Sequence, residues 1–390
     1  MRVAIVHPWF LALGGAEQVV GVIAEMFPEA DIVTLFCEDA GLPAQLKGRR
    51  IIASRWNFLP KKYYYYRHLM PMFPALFENM DLRGYNLVIS SDSCVIKGIL
   101  TDEWATHVCY CHSPMRGLYD QYWDYVQSTP LIARWYYKRV ARRLRTWDFV
   151  AAHRVTGIVA NARYVANRVQ TYYGLPSKVI VPPVQTESAY LATQTGDYYL
   201  SVGRLVHAKR TEILIHACNT LGRRLIVVGR GRAEASLKKI AGPTIEFVGR
   251  VSDEELASTY ARCKALLFAA KEDFGMAPIE AQSYGRPVIA FGEGGAKETV
   301  IPNVTGLFFQ QQTTASLMEA IVAFEGDTSR FDPYIIREHA CTFSTDDFKR
   351  KLSKFIDTCI RSKREQKPWT EIEQDLPELS GMSQNKSLDE

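Results

Sequence analysis

The chain has little that would fix it in a membrane, in a disulfide lattice or around a metal. None of its apolar runs reaches the roughly 18 residues that a bilayer-crossing helix needs. The opening MRVAIVHPWF has too short an apolar segment for a secretory signal and reads as a first strand. Eight cysteines contain no Cys-x-x-Cys pair, and most sit in apolar runs; this pattern fits reduced thiols in a cytosolic protein. Cys109 and Cys111 flank one residue in VCYCH, the spacing of strand residues on one face. Asp-x-Asp is missing, and with it the usual carboxylate pair through which a divalent cation holds a diphosphate. A strict Gly-x-Gly-x-x-Gly is missing too. GRGRAE at 229–234 has two of its glycines and Glu234 where the third would stand, so a dinucleotide-binding reading is poor.

What is present describes a globular protein. At 390 residues the chain exceeds one ordinary core and suits two domains. Its 47% hydrophobic and 23% charged residues are those of an ordered domain, not a disordered one. The net charge of +5 is unevenly spread: residues 1–180 hold 21 Lys and Arg against 14 Asp and Glu.

Short apolar runs alternate with amphipathic segments. RVAIVH, ADIVTLF, NLVISS, THVCYCH, VTGIVAN and KVIVPPV read as strands of a first unit. DYYLSVG, RRLIVVG, TIEFVG, ALLFAA, PVIAF and TGLFF read as strands of a second, with helical segments between. The expected fold class is α/β: two Rossmann-like, doubly wound parallel-sheet domains facing across a cleft. The expected boundaries are 1–182, 183–345, a C-terminal helix over 346–364 packing back on the first domain, and a polar, poorly ordered tail over 365–390.

Ligands of such sheets bind beyond the carboxyl ends of the strands. After the first strand, Gly14 and Gly15 open a helix, where backbone amides can approach an anion. In SVGRLVHAKR, Arg204 and Lys209 form a candidate diphosphate clamp. Lys271–Val288 reads KEDFGMAPIEAQSYGRPV and places Glu272 in a loop and Glu280 in the first turn of a helix that holds Pro278. Glu280 can accept hydrogen bonds from a vicinal diol such as that of a ribose. Each feature also has a plainer reading, as a turn, a solvated cation or a helix-start acid favoured by the macrodipole.

Together the motifs resemble glycosyltransferase family 4, whose members have the GT-B fold and retain anomeric configuration. Glu272-x7-Glu280 with FGMAPIEAQSYGRPVIA carries most of the resemblance, and GRLVHAK at 203–209 and GGAE at 14–17 add to it. CHSPMR at 111–116 is similar to the Cys-His-Thr-Pro-Met-Arg phrase of a bacterial mannosyltransferase branch, with Ser113 in place of Thr. The resemblance implies that Gly14, Gly15, Arg204 and Lys209 hold the donor diphosphate and that Glu280 holds the ribose. Glu272 with Phe274, Gly275 and Met276 would hold the sugar, Val251 would lie near the base, and His112 would sit at the reacting centre. It further implies a retaining, metal-independent hexosyltransferase with no cofactor besides its donor, GDP-mannose in that branch; UDP- and dTDP-sugars are the alternatives. A non-catalytic sugar-nucleotide-binding or carbohydrate-binding protein is the alternative of another class.

Two segments account for the basic first half. PKKYYYYRHLMPMFPALF (60–77) and ARWYYKRVARRLRTWDFV (133–150) interleave cations with aromatics. In the second, Tyr137, Val140, Ala141, Leu144 and Trp147 share a helical face. Such segments suit an anionic membrane surface, or else a stripe packed on the domain's own sheet. No nucleic-acid-binding module accompanies the charge. The expectation is a cytoplasmic protein, peripheral on the inner membrane, acting on a lipid-linked (polyprenyl-diphosphate) saccharide in bacterial polysaccharide assembly; the acceptor rests on family analogy.

Overall fold

The computed structural model describes residues 1–374 other than 61 and 63–65. Thirteen strands form two sheets among these residues. The first lobe holds β1 (Val3–Phe10), β2 (Asp31–Cys37), β3 (Ile51–Ala53), β4 (Leu87–Asp92), β5 (Thr106–Cys111), β6 (Gly157–Ala160) and β7 (Lys178–Val179), in the order 3-2-1-4-5-6-7. The second holds β8 (Tyr199–Val202), β9 (Leu225–Val228), β10 (Ile245–Gly249), β11 (Leu266–Phe268), β12 (Val288–Phe291) and β13 (Gly306–Phe309), in the order 10-9-8-11-12-13. Neighbouring strands run parallel throughout. In both sheets the order reverses at the first strand of the lobe, which opens a crevice for a ligand there.

The central strands are buried for a physical reason. Every residue of β4 and β5 is buried, because helices cover both faces of a parallel sheet. The edge strand β10 instead alternates between half-buried and exposed positions. All twelve apolar runs contain strands. KVIVPPV is the shortest, cut to Lys178–Val179 ahead of Pro182 and Pro183, and β3 is an addition that GRRIIAS concealed behind its charges.

The helix Thr345–Glu365 closes the first lobe. Phe348, Leu352, Phe355, Ile356 and Cys359 recur at helical spacing and join the core formed by β1, β2 and β4. Gly157 makes this possible, since a Cβ there would lie 2.6 Å from Cys359 Sγ. Ser344 caps the helix by accepting from the Asp347 amide. The tail expected from 365 is ordered further than its composition suggested: Trp369–Gln374 forms a helix with Trp369 and Ile372 buried. The sidedness of the basic helix Leu131–Ala152 also needs correction. Val140, Ala141 and Leu144 are buried in the lobe's own core, and Tyr137 and Trp147 pack beside them. That stripe cannot face a membrane. A different set is exposed: Leu131, Ile132 at 96%, Trp135 at 72% and Tyr136. Of the segment 60–77, residues 61 and 63–65 lie outside the described residues, while Phe73, Leu76 and Phe77 are core.

Candidate active site between the lobes

The second lobe supplies a carboxylate-lined wall. β11 runs into the Lys271–Gly275 loop, and Gly275, at φ 84°, turns the chain into the helix Met276–Ser283. Two further glycines seat the loop: a Cβ on Gly294 would meet the Glu272 carbonyl oxygen at 2.4 Å, and one on Gly295 would meet Phe274 Cα at 2.3 Å. Glu272 accepts a hydrogen bond from Lys209 Nζ, which reaches it from the turn after β8. Glu280 lies in the helix's second turn, not its first, so the macrodipole does not explain it. Its carboxylate accepts from the Tyr260 hydroxyl at 2.6 Å, and the Tyr260 ring stacks on Tyr284 at 5.8 Å. Burial pushes the Glu280 carboxyl above its ordinary value, against the opposing pull of Tyr260 and Lys209. Arg204 is exposed and has no side-chain partner among the described residues. Val251 is half-buried against the cluster that contains Tyr260 and Ala281.

The glycines of GRGRAE have a structural duty that explains why they imitate a phosphate loop. A Cβ on Gly229 would lie 1.9 Å from the Gly203 carbonyl oxygen, and one on Gly231 would lie 2.1 Å from that of Leu205. They let the 229–231 and 203–205 backbones pack directly.

The first lobe faces this wall with a helix end and a histidine. Gly14 precedes the helix Gly15–Met26, which lacks a side-chain cap. A Cβ on Gly15 would come within 2.8 Å of Met276 Sδ. Two helix starts without side-chain caps therefore lie on either side of the lobe interface, the Gly15 start against the Met276 side chain. His112 follows β5; its Nε2 lies 2.9 Å from Ser91 Oγ. Burial pushes the His112 imidazole down to about 4.

Contacts that bridge the lobes were not anticipated from sequence. Asp273, between Glu272 and Phe274, accepts from Arg116 at 2.8 Å and from Arg168 at 3.2 Å. Arg168 also donates to Ser113, the Pro114 carbonyl and Asp120. Glu298 caps the first-lobe helix Arg163–Tyr173, accepting from the Arg163 and Tyr164 amides at 2.8 Å each. Phe274 and Ile279 pack among Cys109, Cys111, Ala160 and Val165. Arg116 and Asp273 were both inside quoted motifs; their opposite charges were the one available signal that they pair.

Sequence comparison decides the family. A profile described as Glycosyltransferase Family 4 matches residues 13–188, and one described as Glycosyl transferases group 1 matches 186–334. The chain belongs to glycosyltransferase family 4. Its relatives include an uncharacterized glycosyltransferase of Methanocaldococcus jannaschii, 30% identical over 42% of this chain and 48% of that protein. A GDP-mannose-dependent monoacylated alpha-(1-6)-phosphatidylinositol monomannoside mannosyltransferase of Corynebacterium glutamicum is 32% identical over 33% of this chain and 37% of its own length. The family 4 chain thus matches less than half the length of these curated relatives. Glycogen synthases also match, among them one of Pseudomonas aeruginosa at 28% identity over 44% of this chain. Among solved structures, Anabaena HepE in complex with UDP and glucose has a TM-score of 0.67 at 17% identity, over 92% of this chain and 99% of that one. Sucrose-phosphate synthase of Thermosynechococcus elongatus has a TM-score of 0.66 at 16% identity, over 93% of this chain and all of its own. The fold of this family 4 member is GT-B.

Proposed function

We propose that the protein is a retaining hexosyltransferase that moves mannose from GDP-mannose to a lipid-linked saccharide at an anionic membrane surface. The observation that carries the reading is the convergence of Lys209, Glu272 and Glu280 beside the interface where the Gly15 helix start meets the Met276 side chain. The diphosphate lies against these amides with Arg204 and Lys209, Glu280 accepts from the ribose, and Glu272 exchanges its Lys209 partner for hydroxyls of the sugar. The acceptor oxygen bonds to the anomeric carbon on the face from which the nucleoside diphosphate leaves. The broken bond's electrons stay on the departing phosphate, which takes the acceptor proton. Arg204 and Lys209 supply the compensating positive charge in this scheme, without a divalent cation. Mannose and guanine draw support from CHSPMR and from the relatives named as GDP-mannose-dependent mannosyltransferases. A UDP-sugar is the second reading, favoured by the fold's likeness to a UDP complex. Thermal-shift titration with GDP, UDP, dTDP and their sugars tests the choice: GDP-mannose stabilises most, and a larger shift with a UDP-sugar overturns the base. Release of GDP in the presence of acceptor separates an enzyme from a binding protein.

Membrane contact rests on the exposed end of Leu131–Ala152. Ile132 and Trp135 stand out beside Trp123, and a groove of about 630 Å³ is lined by Trp123, Trp135, Lys138, Arg139 and Arg142. Each such cation adds about 1 kcal/mol near an anionic surface. No helix among the described residues is long and apolar enough to cross a membrane. Co-flotation with anionic but not neutral vesicles, weakened by Ile132→Asp, is the expected result. Equal indifference to both vesicles removes the membrane from the proposal.

A further inference from the structure

Glu17 of the GGAE motif is held in place by its neighbours. Gly14 makes room for it, since a Cβ there would lie 3.0 Å from Glu17 Oε2. Glu17 Oε1 lies 3.4 Å from His7 Nε2, His7 Nδ1 lies 3.1 Å from Ser91 Oγ, and Ser91 Oγ lies 2.9 Å from His112 Nε2. The chain runs across the carboxyl ends of the adjacent strands β1, β4 and β5. His7 and Ser91 are fully buried, and the His7 ring packs on Phe10 at 4.8 Å.

We infer that Glu17, His7 and Ser91 form a positioning chain that fixes His112 as the Nε2–H tautomer and turns its bare Nδ1 to the substrate cleft. The direction follows from donor and acceptor inventory. Burial pushes the Glu17 carboxyl up, but its hydrogen bonds to His7 and to the backbone, together with the nearby imidazoles, hold it below its ordinary value and keep it a carboxylate. A carboxylate only accepts, so His7 Nε2 carries the proton. At 3.4 Å this contact is longer than the roughly 2.7–2.9 Å of a charge-assisted pair, and we assign His7 a single ring proton, on Nε2. His7 Nδ1 is then an acceptor, and the Ser91 hydroxyl spends its one proton there. Ser91 Oγ can only accept from the other side, so the proton between it and His112 belongs to Nε2. His112 Nδ1 has no protein partner among the described residues and is not buried. A histidine's second nitrogen commonly sets its tautomer in this way. The consequence, which rests on the donor reading above, is chemical: a bare Nδ1 accepts a hydrogen bond from a sugar hydroxyl and repels a phosphate oxygen. His112 therefore binds the hexose and not the departing phosphate.

Long-range proton–nitrogen NMR of histidine-labelled, unliganded protein at pH 7.5 tests the chain without any donor, with His112 assigned from His112→Gln. The expected result is a single Nε2–H tautomer. Ser91→Ala mixes the two tautomers, and Ser91→Thr, which keeps the hydroxyl, restores one. A wild-type His112 protonated at Nδ1, or a tautomer unmoved in Ser91→Ala, overturns the inference. With GDP-mannose, Ser91→Ala lowers kcat by about fivefold to tenfold with KM little changed, the worth of one mispositioned hydrogen bond. One mono-deoxy analogue of the donor loses rate in the wild type but not in His112→Ala; equal losses in both proteins for every analogue overturn the hydroxyl contact. If GDP-mannose is not a substrate while the tautomer result holds, the donor reading alone fails.

Discussion

Arg116 and Asp273 meet across the interlobe cleft at 2.8 Å, and Arg168 joins them. The acidic loop that carries Glu272 is thereby fastened to the CHSPMR loop that carries His112. Placement of Glu272 thus depends on the ion pairs of its neighbour Asp273. Asp273→Asn is expected to lower kcat by about 10- to 100-fold through a displaced loop, while the affinity for GDP measured by calorimetry changes little. Loss of GDP affinity in step with kcat would instead make Asp273 part of the nucleotide site.

Lys209 and Glu272 neutralise each other in the absence of donor. Lys209→Ala removes a diphosphate cation and should weaken GDP binding about tenfold or more, the scale of a hydrogen bond to a charged group. Glu272→Ala should leave GDP binding nearly intact and cut turnover by orders of magnitude. Calorimetry and initial rates on the two variants separate the roles, and unchanged turnover in Glu272→Ala ends its assignment.

Under the proposed function Glu280 must be ionised to accept both ribose hydroxyls, and burial holds its carboxyl above the ordinary range. Nucleotide affinity is therefore expected to fall on acidification at a higher pH than an exposed glutamate would give. Glu280→Gln should bind more weakly at neutral pH and lose this dependence. Titration of GDP across the acid range checks both.

His107 is 2% exposed on β5, with Nε2 2.9 Å from Ser90 Oγ, and burial pushes its imidazole down to about 3. The folded protein keeps this ring neutral while the unfolded chain protonates it near pH 6.5. The unfolded state then binds more protons, so stability falls as pH drops below about 6.5, by up to about 1.4 kcal/mol per pH unit from this group. His107→Gln should flatten that slope in denaturant melts between pH 6.5 and 4.

The two-sheet architecture was legible because strands buried on both faces shed charge: THVCYCH and NLVISS contain no Lys, Arg, Asp or Glu. β3 was not, since its three half-buried residues follow Arg49 and Arg50 and make no periodic signal. The basic helix misled for a similar reason. Its spacing identified an amphipathic element, but spacing cannot say whether the stripe meets protein or solvent, and Val140 and Leu144 meet protein. Within the site, Glu272, Glu280, Lys209 and Gly15 were visible as motif letters. Tyr260, Arg168 and Asp273 were not, because their significance is a pairing over 20 to 157 residues of sequence. Single-chain periodicity carries no information about such partners.

The long helix Thr345–Glu365 begins where the second lobe ends and lies on the sheet of the first. The second lobe is consequently attached by two covalent crossings, one leaving β7 and one returning ahead of Thr345. A body hung on a pair of straps can swing about the line joining them far more readily than it can slide or twist. Any parting of the lobes that leaves both straps intact has to break the Asp273 ion pairs and the Glu298 cap.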